Sequence, residues 1–130
     1  MSSIKHLYPT GRGFSQAVVA KGQRQIFISG QCAFDASGNI VGVNDIARQT
    51  EQVMENLKLV LKAADATFDD LVKITIFVVD YTNEKRELIQ EVRNRYIPAD
   101  GGPASTLIGV SKLVADELLI EIEAQAVTET

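Results

Sequence analysis

The sequence predicts a single α+β domain over residues 1–130, with one sheet and two amphipathic helices on one of its faces. Three stretches carry that expectation. Residues 46–64 repeat apolar side chains at helical spacing. Residues 71–80, LVKITIFVVD, are rich in β-branched residues and apolar on both faces. Residues 101–127 open on a Gly-Gly-Pro breaker and continue as two strand-like runs around a polar turn.

In chain order, residues 4–7 are a short start, closed by Pro9 and Gly11. Residues 14–20 (FSQAVVA) and 25–29 (QIFIS) flank Lys21-Gly22-Gln23 and read as a hairpin. Residues 33–41 hold Asp35, Ser37, Gly38 and Asn39, all turn formers, and read as a surface loop. Asn44 or Asp45 can cap the long helix. Its stripe is Ile46, Thr50, Val53, Met54, Leu57, Val60, Leu61 and Ala64.

Asn83 is a candidate cap for a second helix over residues 84–97, with Ile89, Val92 and Tyr96 as its narrower stripe and Pro98 as its stop. Residues 104–110 and 118–127 are the closing strands. The sheet face away from the helices then carries Phe77, Val79, Leu107 and Leu119 among polar residues. Another copy of the chain is the simplest cover for it.

Composition bounds the function. The net charge is -4 with no basic run, which argues against a dedicated nucleic-acid binder. One cysteine (Cys32) and one histidine (His6) allow no intrachain disulfide and no ordinary zinc shell, so neither metal nor cofactor is expected. No stretch approaches the ~20 apolar residues of a membrane span, and residues 1–11 hold no apolar signal core, so a cytoplasmic location is expected.

The last strand poses a chemical question. Ile120, Ile122, Ala124 and Ala126 alternate with Glu121, Glu123 and Gln125. A carboxylate amid aliphatic neighbours is either an ordinary outer-face residue or a cleft residue suited to proton transfer.

FSQAVVAKG, QIFISGQ, DIARQTEQVMENLKLVLKAA, LVKITIFVVD and GGPAST…IEIEAQAV stand in an order and spacing that resemble the reactive intermediate/imine deaminase family, RidA or YjgF, over nearly the whole chain. The resemblance implies a mostly antiparallel, chorismate-mutase-like sheet. It also implies a homotrimer with small-molecule sites in clefts between subunits. Active members hydrolyse small amino-acid-derived imines or enamines to keto compounds and ammonia. An arginine clamps the substrate carboxylate and a glutamate holds the attacking water.

Carried over position by position, the resemblance puts the glutamate at Glu121 and the serine after the second strand at Ser29, with Gly30 beside it. The tyrosine position is Phe14, without a hydroxyl, and the asparagine position is Gln90. The arginine position is Ser105, so Pro103-Ala104-Ser105-Thr106 has no cation, and Leu107 stands where active members commonly have Cys or Thr. Arg93, three residues beyond Gln90 on the same helix, reads as a solvated charge, a substitute cation or a partner for Glu121. Lys73 is a second candidate cation on the sheet face that a trimer would cover.

Two functions follow from these residues. One is an imine deaminase of altered specificity, with Glu121 and Ser29 as catalytic residues and Phe14, Gly30, Gln90, Arg93, Ser105 and Leu107 lining the ligand cleft. The other is a non-catalytic trimer that binds small metabolites. A third reading, an endoribonuclease or translation inhibitor, is disfavoured by the net charge of -4.

Overall fold

A computed structural model describes residues 3–129. Six strands form one sheet: β1 (Ser3–Pro9), β2 (Ser15–Lys21), β3 (Arg24–Gln31), β4 (Leu71–Val79), β5 (Ala104–Val110) and β6 (Ile120–Thr128). Their order is β1-β2-β5-β4-β6-β3. Helices α1 (Ile46–Ala63) and α2 (Asn83–Arg93) pack on one face, as expected.

The sheet is mixed. β4 and β5 run parallel, from Lys73↔Ala104 to Val79↔Val110. Parallel neighbours need a crossover, and α2 supplies it. β6 lies antiparallel to both β4 and β3.

The hairpin expected between residues 14–20 and 25–29 does not form: β2 pairs with β1, and β3 pairs with β6. β2 touches β5 only at Ser15↔Ala104. Two residues separate Lys21 from Arg24, which opens β3 opposite Thr128 at the far side of the sheet. β2 therefore crosses the end of the sheet, spanning about four strand spacings, or ~19 Å. Seven extended residues reach ~23 Å, so the path is easily spanned. The pairing with β6 sets Ile28 against Ala124, both buried in the core.

Helix α1 is capped by Asp45, whose carboxylate accepts from Arg48 N at 3.0 Å. Its buried face is Ile46, Gln49, Thr50, Val53, Met54, Leu57 and Leu61. These pack on Ile74, Ile76, Val78, Ile120 and Ile122. Gln49 is a polar member of that face that the apolar stripe did not reveal. Its amide donates to Gly42 O and Glu117 O and accepts from Leu119 N. It thereby ties the loop before β6 to the helix.

Helix α2 begins one residue earlier than expected, with Thr82 rather than Asn83 as its cap. It ends at Arg93, not Ile97. Tyr96 N and Ile97 N both return to Arg93 O, which closes the helix in a tight turn. Its buried residues are Ile89, Val92 and Arg93. Tyr96 instead sits half-buried against Phe68, with ring centroids 5.6 Å apart.

The other sheet face is open in the single chain. Phe27 is 70% exposed and Ile108 42% exposed on it. Leu107 was expected on this face and is not there. Its register partner is Ile76, so it turns toward the helices. Among the described residues no helix is long and apolar enough to cross a membrane.

Candidate functional site

The candidate residues separate into two groups, one on each side of the sheet. The acidic group belongs to β3 and β6. Glu121 lies opposite Phe77 of β4, on the open face, and is half-buried. Its carboxylate lies directly over Gly30, where any β-carbon would collide with it. The Cys32 thiol donates to Glu121 Oε1 at 3.0 Å. Burial first, then this hydrogen bond and the carboxylate's charge, push the thiol up to about 12, so it stays protonated as the donor. No cation lies within ion-pair distance of Glu121 among the described residues.

Ser29 is beside this group but does not touch Glu121. It is exposed and lines a shallow hollow of about 480 Å³ on the open face, with Phe27, Lys73, Thr75 and Gln125. Lys73 donates to Thr106 Oγ1 at 2.6 Å across β4 and β5.

The basic group lies where α2, β5 and the loop before β2 meet. Phe14, Gln90, Arg93, Ser105 and Leu107, predicted from scattered parts of the sequence, line one cleft of about 190 Å³. Arg12 and Arg86 also line it. The sequence reading missed both. Gly11 and Gly13 around Arg12 were the available signal for a loop folded close against its neighbours.

That loop is held by backbone contacts. Gly13 N donates to Ala99 O and Ser15 N to Pro103 O. The Ser15 hydroxyl donates to Gly102 O at 3.0 Å. Gly13 and Gly102 have φ of 83° and 96°, in the region that favours glycine, and a side chain on Gly102 would strike Gly13 O. The two glycines let residues 98–103 and 10–15 lie against each other. This fixes Phe14 beside the start of β5.

Arg93 is 6% exposed. Its Nη2 donates to Arg12 O at 3.0 Å, and Gln90 Nε2 reaches the same oxygen at 3.3 Å. Its guanidinium lies 5.9 Å from the centre of the Phe14 ring. Arg93 Nε is buried without a hydrogen-bond partner. Burial lowers the pKa of the group from its ordinary value.

No three His, Cys, Asp or Glu side chains gather to hold a metal ion among the described residues. In chemical terms, one chain offers a half-buried carboxylate with a thiol donor, and separately a cationic cleft. The two lie on opposite faces of one sheet.

Comparison with known proteins places the chain in a family. The family model described as endoribonuclease L-PSP matches residues 4–128. A RutC family protein of Pyrococcus horikoshii is 36% identical over 116 residues, covering 89% of this chain and 87% of that protein. A structure of a conserved Rid family protein from Yersinia pestis is 39% identical, with a TM-score of 0.87, covering 98% of each chain. RidA from an Antarctic Psychrobacter is 29% identical, with a TM-score of 0.71, covering 88% of this chain and 87% of that one. The chain thus belongs to the endoribonuclease L-PSP family, whose members also carry the names Rid, YjgF and RutC.

Proposed function

We propose that this chain hydrolyses small, amino-acid-derived imines or enamines to keto compounds and ammonia, in clefts between copies of a homotrimer. The observation that carries this reading is Glu121. It is a half-buried carboxylate seated over a glycine, with one thiol donor and no cation beside it. A carboxylate in that condition can accept a proton from water as the oxygen adds to the C=N carbon. It can then return that proton to nitrogen; as the C–N bond breaks, the carbinolamine hydroxyl gives up its own proton through the same carboxylate to nitrogen, the C=O bond forms and ammonia leaves.

The trimer gives the two groups a common site. The open sheet face exposes Phe27 and Ile108, which a second copy would cover. The edge of one copy would then set Glu121, Gly30 and Ser29 against the cleft lined by Phe14, Gln90, Ser105 and Leu107 of the next.

A second reading, a non-catalytic trimer that binds small metabolites, is favoured by Ser105. Counted from Pro103, the resemblance implies an arginine at that position in active members, and this chain has a serine there. A bidentate clamp contributes roughly 1.5–3 kcal/mol per charge-assisted bond, so its absence from β5 matters.

Enamines generated in situ separate the two readings. The deaminase reading expects the purified protein to accelerate keto acid release, and Glu121→Gln to remove about 10²–10⁴-fold of that rate. If the wild type leaves the spontaneous rate unchanged across a panel of enamines, the metabolite-binding reading replaces it.

A further inference from the structure

We infer that Arg93 is the anion anchor of the basic cleft, and that this cleft takes the carboxylate of a small organic acid through it. The inference rests on the proposed function only in placing the ligand beside α2. It deepens that reading by naming the group that holds the ligand.

Three observations point to a ligand. Arg93 is 6% exposed and is the last residue of α2, so its position is fixed by the helix and not by a long free stem. Only Nη2 is used by the chain, on Arg12 O. Nε is buried and unpartnered. No carboxylate of the described residues forms an ion pair with it.

A buried guanidinium without a counter-ion is costly. The C-terminal end of α2 and the Phe14 ring offset part of that cost. Neither supplies an acceptor for Nε.

The cleft in front of it is suited to an anion. Arg12 and Arg86 also line it, and no carboxylate does. Gln90 and Ser105 add polar lining, and Phe14, Ile89 and Leu107 add apolar lining. The volume of about 190 Å³ equals that of about six water molecules. That admits an organic acid of a few carbons. A carboxylate matches the planar fork of Arg93 and an alkyl end matches Leu107. The cation missing from β5 is therefore supplied from α2, on the same cleft.

Pyruvate tests this, with inorganic phosphate as the second probe. The proteins are wild type, Arg93→Met, Arg93→Lys and Tyr96→Phe, each read by calorimetric titration and by thermal melting. Wild type and Tyr96→Phe should bind pyruvate alike, because the Tyr96 hydroxyl donates to Glu55 and lines neither cleft. Arg93→Met should weaken binding at least about tenfold, and Arg93→Lys, which keeps charge without the fork, should fall between. Without ligand, Arg93→Met should melt no lower than wild type, since Arg12 O keeps its bond from Gln90.

Equal pyruvate affinity in wild type and Arg93→Met would overturn the inference. So would wild-type binding of phosphate but not pyruvate. A third contrary result is no pyruvate binding by wild type together with a lowered melting point for Arg93→Met. That pattern would mean a carboxylate of a neighbouring copy pairs with Arg93. Arg93-dependent pyruvate binding without imine hydrolysis would retain the anchor and remove only the deaminase reading.

Discussion

Glu121 and Arg93 are both charged side chains partly withdrawn from water, and their surroundings differ. Glu121 stays half-buried and takes a thiol donor from Cys32. Arg93 is buried, spends one nitrogen on a backbone oxygen and leaves another unpartnered. The first arrangement holds a carboxylate in place at low cost, through one donor and a close glycine. The second stores an unfavourable charge that an incoming anion would relieve. The contrast suggests a division of labour, with chemistry at β3 and β6 and ligand capture at α2.

The largest expected effect comes from filling the space under Glu121. In Gly30→Val the new side chain occupies the carboxylate's position, and a displacement of about 1 Å can cost ~10²-fold in rate. Imine hydrolysis should fall by that much, while pyruvate affinity at the basic cleft should stay within about twofold of wild type. A parallel loss of both would mean that the halves are not independent.

Next is Gln49→Ala. It strips bonds from Gly42 O, Glu117 O and Leu119 N, so about 2–4 kcal/mol of stability should be lost in denaturant unfolding. At temperatures where the variant is folded, the acidic half should suffer more than the basic half, because the loop before β6 is the part released.

Cys32→Ala is a smaller change with a distinctive pH signature. The thiol pKa is raised from its ordinary value of 9.0 to about 12 in the folded chain, by burial first and then by the Glu121 carboxylate. Its contribution is fully present below pH 9 and is lost as pH rises toward 12. Wild type should therefore lose stability over that window more steeply than Cys32→Ala. Tyr96, also raised to about 12, leaves a residual slope in both proteins. Identical alkaline slopes would show that the Cys32–Glu121 bond contributes nothing.

The smallest effect is expected from Tyr96→Phe. It removes the hydroxyl that donates to Glu55 at 2.7 Å, an exposed contact that lines neither cleft. Stability should change by about 0–1 kcal/mol and neither activity nor pyruvate binding should move.

The sequence made the two helices and the closing strands visible because their periodicities differ and their faces are strongly patterned. The acidic half was visible too, since Glu121 interrupts an aliphatic strand. Strand pairing was not. Lys21-Gly22-Gln23 permits a tight hairpin and equally permits β2 to cross the sheet end before β3 begins. Local turn chemistry does not choose between them when the better partner, β6, lies a hundred residues away.

Leu107 was set on the wrong face for a related reason. Alternation defines two faces of β5, and only its register with Ile76 says which one the helices cover. Arg93 was legible as a candidate by its spacing from Gln90. Its burial came from the turn that ends α2 at Arg93 and folds Ile97 back, which no stripe of apolar residues announces.

The central claim is that the acidic half of one copy and the basic half of another make one site. Refolding an equal mixture of Glu121→Gln and Arg93→Gln chains tests it most directly, each variant alone being expected to lose most of the imine-hydrolysis rate at substrate concentrations below wild-type KM. In randomly mixed cyclic trimers about one cleft in four has both halves intact, so about a quarter of the wild-type rate should return. Activity no higher than either variant alone would contradict the account.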